Sequence, residues 1–438
     1  MTALARPPKF VLIGAGSVSF GLMTMKDLMQ SPALHGSEMV LVDIAPERLE
    51  RMARLARRLS DTWQAGFRIS STTDRRAALP CADIVVVAVE QNRWQLWKLD
   101  RSIPRKHGCI QVDAENGSVG GMFHTFRQAP LLLSIARDIE QLCPKAWLVN
   151  MSNPESRLTL LLHRYSKVKN VGVCLGAYIT RHYLANRVLG LADDEVDVKA
   201  YGINHCHWVL DVRRNGTGED LYPLVRERIE SIDPKWLPLS RECLKRFGYF
   251  PGPSDNHVSE YIGWGPLYVP LPPSDWAERA EQRDAEQATV VDQLIARGGP
   301  LTQEELQPLM IEAGLRWQTL DIIQSLLDNG NRYVLSLNMP NKGLITNLKQ
   351  DAIIEGPAIV GADRIYGLAL GEMPPAIAAL LELQLRIMDL VVEAAVTGDR
   401  QTALQALLID PGVPSPEAAR NILDEMIAAE KDYLPQFA

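Results

Sequence analysis

Cys174 follows the apolar run Val171-Gly172-Val173, and His205 closes Gly202-Ile203-Asn204 after a β-type run over Val198 to Tyr201. A thiolate and an imidazole at the ends of neighbouring strands can hold a divalent cation with positions open to substrate oxygens and water. The same two residues can also be a small core hydrophobe and a histidine satisfied by a carbonyl. A second group, Asp113-Ala114-Glu115-Asn116, sets two carboxylates and an amide before the glycine-rich Gly117 to Gly121. A third, Ser254-Asp255-Asn256-His257 with Glu260-Tyr261, adds acid, imidazole and phenol from far along the chain. Acid–base chemistry suits both groups, as does a solvated loop or turn.

What must position these residues is an alternation of strands and helices. Phe10 to Ile13 breaks into Gly14-Ala15-Gly16-Ser17, and Met39 to Val42 ends at Asp43-Ile44. A strand, a glycine turn, a helix and an acid after the next strand form a dinucleotide grip. Gly14 serves the tight turn, Gly16 the approach of the pyrophosphate, and Asp43 the adenosine ribose hydroxyls, which favours NAD over NADP. The third glycine of that pattern falls on Ser19.

From Lys9 to about Tyr201 the alternation continues, with a helix over Pro46 to Leu59, one over Leu131 to Leu142, and strands at Ala82 to Val89, Ala146 to Asn150 and Val168 to Val173. These predict a Rossmann-type, doubly wound parallel sheet over residues 1–200. Asn150, Ser152 and Asn153, then Cys174, then His205 would follow successive strands and meet on one rim, where ligands of open α/β sheets bind. Residues 201–438 read as an α+β domain that supplies a substrate- and metal-binding part and a helical cap. Helices are expected over Trp276 to Arg297, Thr302 to Leu327, Pro375 to Thr397 and Ser415 to Lys431, and strands at Tyr333 to Leu337 and Gly343 to Leu348.

With 46% hydrophobic and 23% charged residues, the 438-residue chain has the composition of a soluble globular protein of two or three domains. Its formal charge of −7 is dispersed and no basic stripe is present, so no nucleic-acid partner is expected. No membrane partner is expected either, because no apolar run is long enough to span a bilayer. The six cysteines are scattered without C-x-x-C pairing, which suits a reducing, cytoplasmic setting, and the first residues lack the build of a signal peptide.

Taken in order, Ile13-Gly14-Ala15-Gly16-Ser17, Leu41-Val42-Asp43-Ile44, Ser152-Asn153-Pro154, Gly172-Val173-Cys174, Gly202-Ile203-Asn204-His205 and Asn338 to Gly343 resemble glycoside hydrolase family 4 over essentially the whole chain. These are NAD- and divalent-metal-dependent glycosidases related by fold to the lactate and malate dehydrogenases. The resemblance implies Cys174 and His205 as ligands of Mn2+, Asn153 as the contact to sugar hydroxyls, and Gly14, Gly16, Ser17, Asp43, Ile44 and Asn153 around NAD. It places Asp113 and Glu115 in the loop of the family's acidic residue, and Asp255, or Tyr261 beside it, where members keep the base for the C2 proton. Asn150, His257 and Arg127 are then candidate substrate contacts, with Arg127, Arg93 or His124 able to face a uronate. The implied reaction is hydride removal from C3, C2 deprotonation, elimination of the C1 substituent, addition of water and return of the hydride.

Phe247 to Phe250, with His257 and Glu260-Tyr261 after it, is similar to the α-galactosidase and α-galacturonidase branch rather than the 6-phosphoglycosidases, and implies an α-galactoside, α-glucoside or uronide as the small carbohydrate substrate. The family also implies a homodimer or homotetramer. Two departures stand out: Leu175 occupies the place after the metal cysteine where a polar residue is usual, so leaving-group protonation falls to another group such as Asp113 or Glu115 or is unnecessary for an activated aglycone, and Val87 to Arg93 lacks the usual glycine pair. An NAD-dependent sugar or hydroxy-acid dehydrogenase without hydrolysis, or a nucleotide-binding pseudoenzyme, are the alternative readings.

Overall fold

The structure, a computed structural model, describes residues 6–110, 112–310 and 318–438. Its backbone is one sheet. Strands β1 (Lys9–Ile13), β2 (Glu38–Val42), β3 (Arg68–Thr72), β4 (Ile84–Val87), β5 (Trp147–Asn150) and β6 (Lys169–Gly172) pair in parallel in the order β3-β2-β1-β4-β5-β6. That order is the doubly wound nucleotide-binding arrangement expected for the N-terminal part.

The sheet does not stop there. Strands β7 (Val196–Ile203), β8 (Cys206–Arg214), β9 (Phe250–Gly252), β10 (Arg332–Pro340), β11 (Ile353–Val360) and β12 (Ile365–Gly367) extend it, with β10 antiparallel to β6 and the order running on as β10-β11-β7-β8-β9. β12 pairs with β11 off this path. The boundary expected near residue 200 therefore falls inside β7, and the two halves share one sheet. Single pairings make the joins, Asn338 with Gly172 and Glu355 with Gly202.

Alternation along the buried strands sends side chains to both faces. Val11 and Ile13 pack with helices Ser118–Leu142, Glu155–Tyr165 and Pro375–Thr397, while Phe10 and Leu12 pack with Val18–Met29, Pro46–Thr62, Gly176–His182 and Thr319–Asp328. The helix Trp276–Arg297 forms as expected and lies against Pro46–Thr62 and Arg93–Lys106, with Arg51 bonded to Asp292 at 2.9 Å and Trp94 to Asp284 at 2.7 Å. No helix among the described residues is long and apolar enough to cross a membrane.

Two expected elements differ. The helix expected over Thr302 to Leu327 is two short pieces, Gln303–Leu306 and Thr319–Asp328, and its middle lies outside the described residues. Pro308 lacks the N–H that would continue the first piece, and a tight turn at Gln307–Leu309 replaces it. Gly343 to Leu348 is a turn rather than a strand. Asn341 holds it closed by accepting from Ile345 N (2.7 Å) and donating to Ile345 O (2.9 Å), while the strand proper is β11.

Candidate active site

The nucleotide turn is dictated by backbone. Gly14 has φ of 90°, and a Cβ there would lie 2.0 Å from Ala88 O, so the crossing of the turn over the end of β4 requires glycine. Gly14 and Ala15 both donate to Val42 O, at 2.9 and 3.1 Å. Asp43 accepts from Gly16 N (2.8 Å) and Ala45 N (2.9 Å), which fixes its carboxylate beside the turn with lone pairs remaining on both oxygens. Ile44 is 89% exposed, an apolar surface next to that acid. Ser17 precedes Val18–Met29 without capping it through its hydroxyl. This geometry fits a dinucleotide.

The second group is assembled by side chains. One ligand atom each from Glu115, His205 and His257 lies within 4.8 Å of the others. The His205 and His257 rings stand 4.0 Å apart, centroid to centroid, and Glu115 Oε2 is 3.9 Å from His205 Nδ1. His205 occupies the β7–β8 turn in the left-handed region (φ 62°), and Asn116 Nδ2 donates to its Nδ1 at 2.9 Å, which orients the ring. Two imidazoles and a carboxylate suit Mn2+, and the residues present fit such a cation.

Asp113 braces His257. Its Oδ2 is 3.0 Å from His257 Nδ1, its Oδ1 accepts from Arg101 at 2.7 Å, and its carbonyl accepts from Trp97 and Arg101. Burial works to raise the Asp113 carboxyl, but His257 and Arg101 outweigh it and hold it below the ordinary range. For His257 burial works downward, and the bond to Asp113 with the charges of Glu115 and Glu260 lifts the imidazole to about 9. Asp113 is thus paired on both oxygens, to Arg101 and to His257.

The loop bearing these groups is held from the other half of the chain. Glu260 accepts from the backbone N–H groups of Glu115 (2.7 Å), Asn116 (3.2 Å) and Gly117 (3.1 Å). Burial, then the Asp113 charge, raise its carboxyl to about 7. The loop also packs so tightly on helix Ser118–Leu142 that a Cβ at Gly120 would lie 2.4 Å from Ala114 Cβ, and one at Gly121 2.5 Å from Asn116. The glycine run was visible in the sequence; the anchoring role of Glu260, 145 residues from its partner Glu115, was not, and only the Glu-Tyr neighbourhood of His257 hinted at it.

Several expected roles change. Cys174 is not among the converging atoms: its sulfur accepts from Gly176 N at 3.4 Å, and burial, with the Glu355 charge behind it, pushes the thiol up. Asp255 lies outside that converging group. Its oxygens accept from Leu239 N (2.7 Å), Ser240 N (2.9 Å) and Ser240 Oγ (2.7 Å), so it satisfies the free N–H groups that begin helix Pro238–Phe247. Tyr261 donates its hydroxyl to Asn204 O at 2.9 Å, and burial raises the phenol well above its ordinary value.

Arg127 is locked between Asp100 (2.7 Å) and Glu430 (2.8 Å). Asn150 is fully buried and exchanges hydrogen bonds with the Ser152 backbone. Asn153, by contrast, is half-buried at the rim, and its amide makes no hydrogen bond among the described residues. Leu175 is buried in the core.

Rossmann rim, carboxylate–imidazole cluster and shared sheet fit an α/β enzyme of the nucleotide- and metal-dependent class. Two models of this class match: family 4 glycosyl hydrolase over residues 9–190 and the family 4 glycosyl hydrolase C-terminal domain over residues 200–413. The chain belongs to family 4 of the glycosyl hydrolases. It is 31% identical to an alpha-glucosidase of Erwinia rhapontici, over 97% of this chain and 98% of that one. It is 30% identical to an alpha-galactosidase of Bacillus subtilis (strain 168), over 98% and 99%. A solved 6-phospho-alpha-glucosidase from gut microorganisms, in complex with NAD and Mn2+, superposes with a TM-score of 0.84 at 22% identity, covering 99% of this chain and 100% of that chain.

Proposed function

We propose that this enzyme hydrolyses neutral α-hexosides, α-glucosides or α-galactosides, with NAD and Mn2+, by transient oxidation at C3 and elimination across C1 and C2. The observation that carries the choice of a neutral sugar is charge pairing. Three arginines near the cluster are already matched: Arg93 to Glu90 (3.1 Å) and Glu115 (3.6 Å), Arg101 to Asp113, and Arg127 to Asp100 and Glu430. A sugar phosphate or uronate would have to compete with these carboxylates for their arginines.

When bound, NAD supplies a reversible hydride acceptor and the divalent cation an electrophile for a ketone oxygen. Gly16 and Asp43 hold the adenosine end, His205, His257 and Glu115 would hold the cation, and Asn153 offers its amide to sugar hydroxyls. Asp113, Asp255 and Tyr261 are committed elsewhere, and Glu115, which receives the Asn116 amide at 3.2 Å and the Arg93 contact, is left to the cation.

The test is turnover of p-nitrophenyl α-glucoside and α-galactoside in deuterium oxide with NAD and Mn2+. Deuterium at C2 of the released sugar, without net NADH, is expected. Release with protium retained at C2 overturns the elimination route, and NADH formed in proportion to product marks a dehydrogenase. The 6-phospho and uronide analogues are expected to turn over at least ~10-fold more slowly, an unpaired charge being worth more than the 1.4 kcal/mol of one decade.

A further inference from the structure

We infer that the small cavity behind the active-site loops binds one small monovalent anion of the halide class on Arg157. Arg157 lies on helix Glu155–Tyr165 and is 4% exposed. It lines a narrow cavity together with Asn116, Ser156, Asn204, Tyr261 and Gln384. Its guanidinium makes a single hydrogen bond, a long one of 3.5 Å to Thr125 Oγ1, and no carboxylate stands within the 4.0 Å of an ion pair. Arg101 and Arg127 are as deeply buried, and each is paired with a carboxylate at 2.7 Å. An arginine so buried with its donors unused is costly unless an anion meets it.

The charges that reach Arg157 do so from further away. Asp410 and Glu260 are the ones that act on it, and Asp410 spends one oxygen on Gly412 N at 2.8 Å while its other has no hydrogen-bond partner. The cavity wall has already consumed most of its acceptors: Asn204 O and Tyr261 O are taken by Tyr261 and Gln384, and Ser156 Oγ accepts from Asn204 N. What remains is the guanidinium and the Asn204 amide, whose Nδ2 and Oδ1 both lack an oxygen or nitrogen partner.

There is room for about one water-sized body, which limits any occupant to a water or a single-atom anion and excludes phosphate or a carboxylate. Asn116 forms part of both this wall and the active site, where it orients His205, so an anion here would stiffen the floor under that ring.

The experiment uses the whole enzyme without sugar, NAD or Mn2+, so its outcome is independent of the glycosidase reading. Crystals soaked in sodium bromide are expected to show an anomalous peak beside Arg157. Thermal unfolding in sodium chloride against sodium gluconate at equal ionic strength is expected to show a saturable rise on the order of 1–3 °C, absent in Arg157→Gln. Should that variant fail to fold, the bromide peak in the wild-type protein decides alone. No peak, with identical melting in the two salts, overturns the proposal and leaves water in the cavity, with Asp410 balancing Arg157.

Discussion

The nucleotide turn and the carboxylate–imidazole cluster sit on the same rim and are built in opposite ways. At the turn, the parts that matter are contiguous backbone: a glycine with φ of 90°, amides aimed by the start of a helix, and one acid held by Gly16 N and Ala45 N. At the cluster, side chains from residues 115, 205 and 257 converge, and what holds them is a further layer from elsewhere in the chain: Asp113 on His257, Asn116 on His205, Glu260 on three backbone amides. A site made of backbone tolerates most side-chain changes around it. A site made of side chains depends on its supports.

That contrast can be broken by mutation. The largest effect is expected for His205→Ala, which removes a cluster atom whose electrostatic contribution is several kcal/mol and should lower Mn2+-dependent turnover ~10³-fold, with NAD affinity by fluorescence titration unchanged. Cys174→Ala in the same assay discriminates the ligand sets: retained Mn2+ affinity favours Glu115, His205 and His257, and its loss restores Cys174 as a ligand. Next is Gly14→Ala, whose strain of about 1–3 kcal/mol should weaken NAD by roughly 10- to 100-fold while leaving Mn2+ affinity intact. If both ligands weakened together in either variant, the two regions would not be separable.

A smaller effect is expected for Glu260→Gln, because the side chain remains but one oxygen becomes a donor facing amide donors. Calorimetric Mn2+ affinity should fall about 10-fold, the size usual for an outer partner, with NAD affinity unmoved. The smallest concerns Asp255→Ala. Losing the acceptor of the Leu239 and Ser240 amides should lower stability by about 1 kcal/mol in urea unfolding, with turnover within about threefold of wild type. A collapse of turnover in the folded Asp255 variant would return the base role to that residue.

The sequence by itself determined the parallel half. Each βα unit there carries its own signals, a buried run such as Ile84 to Val87, a glycine at a turn, a helix of the right length, and the strand order follows from short connections. Gly14, Gly16 and Asp43 were legible for the same reason, since their partners are local. The helices Trp276–Arg297 and Pro375–Thr397 were likewise legible from periodicity.

Only the tertiary structure decided how the halves join and what the polar residues do. Asn338 and Glu355 carry the sheet across through single long-range pairings, which no local pattern encodes. Asp255, Tyr261 and Arg127 are of the right types for catalysis, yet their hydrogen-bond partners lie up to several hundred residues away and commit them to structure: Ser240, Asn204 and Glu430. A side chain's chemistry is set by what fills its lone pairs and how far it is from water. Residue type lists what a group can do; the fold, by supplying or withholding partners, selects Glu115, His205 and His257 to converge and leaves Arg157 buried without a carboxylate.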